Sequence, residues 1–170
     1  MTHDNDEIRE ILKKAYQIEV DGYTFYSMAA DRATKPAVQV LFDKLARDEI
    51  QHKAYLQGVM GAYEDKGVAA FNIDRRDPDL QAFSSTIFTE NFKRQAKGAE
   101  LELGVLSIGM TLESNAIRYF SGAADNAAED EVRDFYRFLA DWEQQHLDAL
   151  QALYHGVRQD FWEQGGFSPF

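Results

Sequence analysis

The stretch Glu143-Gln144-Gln145-His146 has a twin ninety-four residues upstream, Glu49-Ile50-Gln51-His52. Both read Glu-x-x-His. Thirty residues before each stands a single Glu inside an apolar stripe, Glu19 before the first motif and Glu113 before the second. Residues three apart share a helix face, so Glu49 projects with His52 and Glu143 with His146. One such motif is weak. Two, each at the same distance from a lone mid-stripe Glu, make four glutamates and two histidines a repeated unit.

The stripes around these residues predict helices. Ile8, Leu12, Ala15, Glu19, Gly22, Tyr26, Ala29 and Ala33 follow one another at steps of four and three, giving a first helix over about 6–33. Thr34-Lys35-Pro36 breaks it, and Pro36 suits the first turn of the next helix. Val38, Phe42, Leu45, Glu49, His52, Leu56, Val59 and Tyr63 then carry the same spacing.

From 65 to 98 the pattern lapses into turn residues such as Gly67, Asp77-Pro78-Asp79 and Ser84-Ser85, with a short helix predicted over 86–96. A connection of that length can traverse a bundle and restart the chain at the original end. The third helix, about 99–124, repeats the first: Leu106, Gly109, Glu113, Ala116, Phe120 and Ala123 match Leu12 to Ala29. The fourth, about 128–158, repeats the second through Val132, Tyr136, Leu139, Glu143, His146, Leu150, Leu153 and Val157. Asp125-Asn126 is a terminator for the third helix. The aromatic tail Phe161-Trp162, Phe167 and Phe170 is expected to fold back on the surface or onto a partner subunit.

The chain thus reads as one all-α domain over 1–170, with repeat halves of about 5–63 and 99–157, a crossover over 65–98 and a tail over 159–170. Its 170 residues suffice for a sizeable core. With no Cys, disulfides, Fe–S clusters and thiolate zinc sites are excluded. A net charge of -11 argues against binding nucleic acid or an anionic membrane. Residues 1–10 lack the apolar core of a signal peptide and no apolar run has spanning length, so a cytoplasmic protein is expected.

Four carboxylates converging in a low-dielectric interior repel one another severely. Two divalent cations balance them, and bridging carboxylates hold two ions about 3.5–4 Å apart. Mixed carboxylate and imidazole donors suit Fe or Mn better than Ca or Mg. Zinc could occupy such a site but would bring no redox chemistry, and the His-Glu-x-x-His zinc motif is absent. The set Glu19, Glu49, His52, Glu113, Glu143 and His146 is that of the ferritin-like di-iron and di-manganese four-helix bundles.

Ala15, Glu19 and Phe25-Tyr26 with Asp48-Glu49-Ile50-Gln51-His52, then Leu112-Glu113 and Tyr119-Phe120 with Trp142-Glu143-Gln144-Gln145-His146, resemble the rubrerythrin branch of the ferritin-like superfamily. The resemblance covers about 5–157. It implies two Fe ions (Mn or mixed Fe/Mn also fit), Glu49 and Glu143 as bridges, and Glu19, Glu113, His52 and His146 as terminal ligands. It further implies reaction with hydrogen peroxide or dioxygen, a separate electron donor, and a homodimer. Two departures stand out. Rubrerythrins end in a rubredoxin domain with Cys-bound iron, and this chain has no Cys. They also carry a further Glu one turn along the third helix, where this chain has Met110 and Ala116 on either side of Glu113.

A peroxidase or oxidase type of redox enzyme is therefore the leading expectation. A ferroxidase or iron-storage protein is the alternative, although only about a dozen residues follow Val157, short of the fifth helix of cage-forming ferritins. An oxygenase ranks third because no organic pocket is identifiable in the sequence, and a metal-free structural bundle last. Tyr16, Tyr23 and Tyr26 lie within two turns of Glu19 and read first as aromatic core filling, the alternative being that one of them hydrogen-bonds a ligand or shuttles electrons, and His155 reads as a surface histidine.

Overall fold

A computed structural model describes residues 2–71 and 100–164. Four α-helices stand among the described residues: α1 Thr2–Arg32, α2 Pro36–Lys66, α3 Glu100–Asn126 and α4 Asp130–Gln164, with a short 3-10 helix Gly67–Phe71 after α2. This is the all-α four-helix bundle that the stripes predict. The α1–α2 pair and the α3–α4 pair are each joined by a three-residue turn, which makes each an antiparallel hairpin.

The local chemistry fixes the ends. Pro36 opens α2, where its missing N–H leaves no bond unmade. Gly67 closes the helix with φ 58, and its N–H donates to the Tyr63 carbonyl. The Arg133 guanidinium donates to the Ala127 carbonyl at 2.9 Å and also pairs with Asp130, tying the α3–α4 turn to the start of α4.

Two boundaries differ from expectation. The 3-10 helix extends the ordered path past α2 into the stretch assigned to the crossover. More markedly, α4 continues to Gln164, so the backbone at Phe161-Trp162 is helical rather than part of a folded-back tail. Arg158, Gln159, Asp160, Glu163 and Gln164 are polar but tolerate helix well, and polarity is not a turn signal. The expected helix over 86–96 and the residues Phe167 and Phe170 lie outside the described residues.

Where side chains are described, the stripes face inward with few exceptions. In α3 the innermost residue of the last turn is Ala124 rather than Ala123. The buried faces are wider than single stripes because each helix meets more than one neighbour: Leu41, Phe135 and Trp142 are buried too. The core has two apolar layers. One gathers Tyr26, Leu41, Phe42, Leu106 and Leu150. The other gathers Leu12, Leu56, Phe120, Tyr136 and Trp142. Between them lies a polar layer. Among the described residues the buried polar or charged side chains are Glu19, Glu49, His52, Glu113, Glu143 and His146.

Candidate metal centre

Each helix supplies this layer from its middle: α1 gives Glu19, α2 Glu49 and His52, α3 Glu113, α4 Glu143 and His146. Their donor atoms form two overlapping groups, Glu19–Glu49–His52 and Glu49–Glu113–Glu143–His146, each with all atoms within 4.8 Å. Glu49 belongs to both. Its Oε2 lies 3.5 Å from His52 Nδ1 and its Oε1 3.3 Å from His146 Nδ1. His52 Nδ1 is 3.1 Å from Glu19 Oε2, and His146 Nδ1 is 3.6 Å from Glu113 Oε1 and 3.8 Å from Glu143 Oε2. The two imidazole rings lie 5.1 Å apart, nearly parallel.

The donor set fits divalent metal. Donors about 2.1 Å from an ion and at right angles around it stand about 3 Å apart, close to the spacings here. Glu19 Oε1 and Glu143 Oε1 are buried without a hydrogen-bond partner among the described residues. A buried charge of that kind is costly unless something compensates it. Cations would engage both oxygens and neutralise the layer.

Without cations the layer holds protons instead. Burial, reinforced by neighbouring Glu49, pushes Glu19 up to about 8 against the pull of His52. Burial and then the charges of Glu19 and Glu113 raise Glu143 well above the usual carboxylate range. Burial alone would lower His146, but Glu49 and Glu113 raise it well above its ordinary value. Glu113 goes the other way: burial opposes its ionisation, yet hydrogen bonding and charge from His146, with the Tyr26 hydroxyl, lower it.

Three further residues shape the centre. The Tyr26 hydroxyl donates to Glu113 Oε1, across from α1 to α3. Its repeat partner is Phe120, so only one half of the molecule has this bond. Trp142 lies flat on His52, ring centres 4.0 Å apart and planes 3° from parallel, and fixes the plane of that imidazole. Gly22 makes room: a Cβ there would sit 2.7 Å from Glu49 Oε1. Tyr16 instead accepts a bond from Gln57 at the surface, and Tyr23 packs under the Lys53 ammonium. His155 is exposed, as expected.

The signal for Gly22 was present in its position, since glycine in a buried helical stripe costs about 1 kcal/mol relative to Ala and needs a reason. Tyr26 and Trp142 gave less warning, because their contacts cross between helices. A cavity of about 280 Å³ between α1 and α3 reaches Glu49, Glu113 and Glu143.

A family model described as Rubrerythrin matches residues 10–154. No curated protein and no solved structure matches the chain.

Proposed function

The chain belongs to the rubrerythrin family, and from that premise we propose that it is a di-iron redox protein that reduces a small oxidant, hydrogen peroxide before dioxygen. The observation that supports this most is the sharing of Glu49 between two donor groups, each with its own imidazole. Glu19, Glu49 and His52 would hold one ion, and Glu49, Glu113, Glu143 and His146 the other. Two bound irons supply a two-electron couple at one place.

The chain's own residues do the rest. Tyr26 orients Glu113, and Trp142 holds His52 in plane. The apolar layers above and below keep bulk water from the carboxylates except along the cavity between α1 and α3, which strengthens their hold on a cation. Protons resident on Glu19, Glu143 and His146 must leave when metal binds. Electrons for repeated turnover come from a donor outside this chain, which has no Cys to hold a redox iron of its own. A cytoplasmic homodimer is the setting we assign to it.

Anaerobic protein loaded with Fe2+ and mixed with hydrogen peroxide should show about two ferrous ions oxidised per peroxide within seconds, and repeated turnover once a reductant is supplied. An unreactive ferrous protein rules the assignment out. The carboxylate-rich donor set and the cavity that reaches it also favour a second reading, in which Fe2+ itself is the substrate. In that case ferric iron accumulates far beyond two per chain under excess Fe2+ and air, whereas the redox enzyme retains two.

A further inference from the structure

The cavity that reaches the carboxylates is larger than a diatomic or peroxide oxidant needs, and its walls come from both repeats. Its floor is Glu49, Glu113 and Glu143. Ile18 and Leu112 line it, as do Gly22 and Ala116, each pair ninety-four residues apart like Glu49 and Glu143. The cavity therefore lies on the pseudo-twofold axis that relates the two halves, above the space the two donor groups share.

Its existence depends on small residues. Gly22 and Ala116 occupy the repeat-equivalent wall positions where any longer side chain would project into the space. Ile18, Leu112 and the ring of Tyr119 supply the apolar part of the remaining wall, and the exposed residues Lys14, Asp21 and Asn115 complete it at the mouth. Hydrogen peroxide fills the room of one or two waters at about 30 Å³ each, whereas about 280 Å³ takes about nine. An apolar wall over a polar floor, near the lower size limit of small-molecule sites, suits an organic ligand with one polar end.

We propose that this cavity binds a small organic hydroperoxide, with its peroxide end toward Glu49 and Glu143 and its hydrocarbon body against Ile18, Leu112 and Tyr119. The inference rests on the peroxide-reducing reading above. The overall reaction takes ROOH, two electrons from the external one-electron donor and two protons to ROH and water. The O–O bond breaks, one oxygen staying with the carbon and the other leaving as water.

Two measurements test it. In zinc-loaded protein, which is redox-inert, saturation-transfer NMR with the product alcohol 2-phenyl-2-propanol should show saturable binding. That binding should weaken at least tenfold in Ala116→Leu, which fills the cavity from within. Leu112→Trp fills it from the rim, where the side chain is 37 % exposed and folding is not at risk, and should act alike. In anaerobic ferrous protein, cumene hydroperoxide should oxidise the wild type at least as fast as hydrogen peroxide, and the ratio of the two rates should fall at least tenfold in either variant. No saturable binding of the alcohol, or equal changes in both peroxide rates, overturns the inference. Oxidation by hydrogen peroxide but not by cumene hydroperoxide also overturns it and leaves the functional assignment standing. Oxidation by neither overturns both.

Discussion

Glu49 meets His52 through one oxygen and His146 through the other, and it can do so only because α1 has no side chain opposite it at Gly22. Replacing Gly22 by Ala sets two effects against each other. Alanine favours helix by up to about 1 kcal/mol. Its Cβ, however, would meet Glu49 Oε1 at 2.7 Å. In metal-free protein the carboxylate can swing away at little cost; with ions bound it cannot. We expect Gly22→Ala to leave the metal-free melting temperature unchanged or raised while metal affinity, by calorimetric titration with Mn2+, falls tenfold or more. Unaltered affinity would mean that Glu49 is not confined by α1. The six polar residues were legible in the sequence because a charge in an apolar stripe, met twice at one spacing, is hard to explain otherwise. Gly22 stood out only as a glycine in a buried stripe, and the contacts of Tyr26 and Trp142 were not legible, because periodicity along one helix does not say which atom of a neighbouring helix it will meet.

Whole helices were legible for a related reason. Apolar steps of four and three continue through each of them, and Pro36 marks a start that the backbone keeps. Their ends were harder to read, as α4 illustrates by running through polar residues to Gln164. The clearest stop is Gly67, whose φ of 58 and ψ of -143 put it in a region nearly reserved for glycine. Gly67→Ala should therefore destabilise the protein by about 1–3 kcal/mol. At roughly 2–4 °C per kcal/mol for a chain of this size, thermal unfolding followed by circular dichroism should resolve the loss. An unchanged melting temperature would show that the α2 C-terminus adopts another path. Because Gly67 lies at the end of α2, far along the chain from Glu49, metal stoichiometry in this variant should be normal.

Across the whole molecule, one polar layer between two apolar layers ties folding to protons and to metal. Glu19 at about 8, together with the raised Glu143 and His146, binds more protons folded than unfolded. Their contribution is present in full below the unfolded carboxylate value near 4.5 and is lost as pH rises through the folded one. Metal-free protein should thus lose melting temperature by several degrees between about pH 5 and pH 9, whereas metal-loaded protein, whose carboxylates are already ionised, should not. The repeat made this layer foreseeable; the cavity beside it was not, since it arises from how α1 and α3 face each other. The most direct test of the account is anaerobic Fe2+ binding by equilibrium dialysis and metal analysis. It predicts two ions per chain in the wild type, one in Glu19→Gln, and fewer than one in Glu49→Gln, whose carboxylate serves both donor groups. One ion or none in the wild type, or two retained in Glu49→Gln, would contradict it.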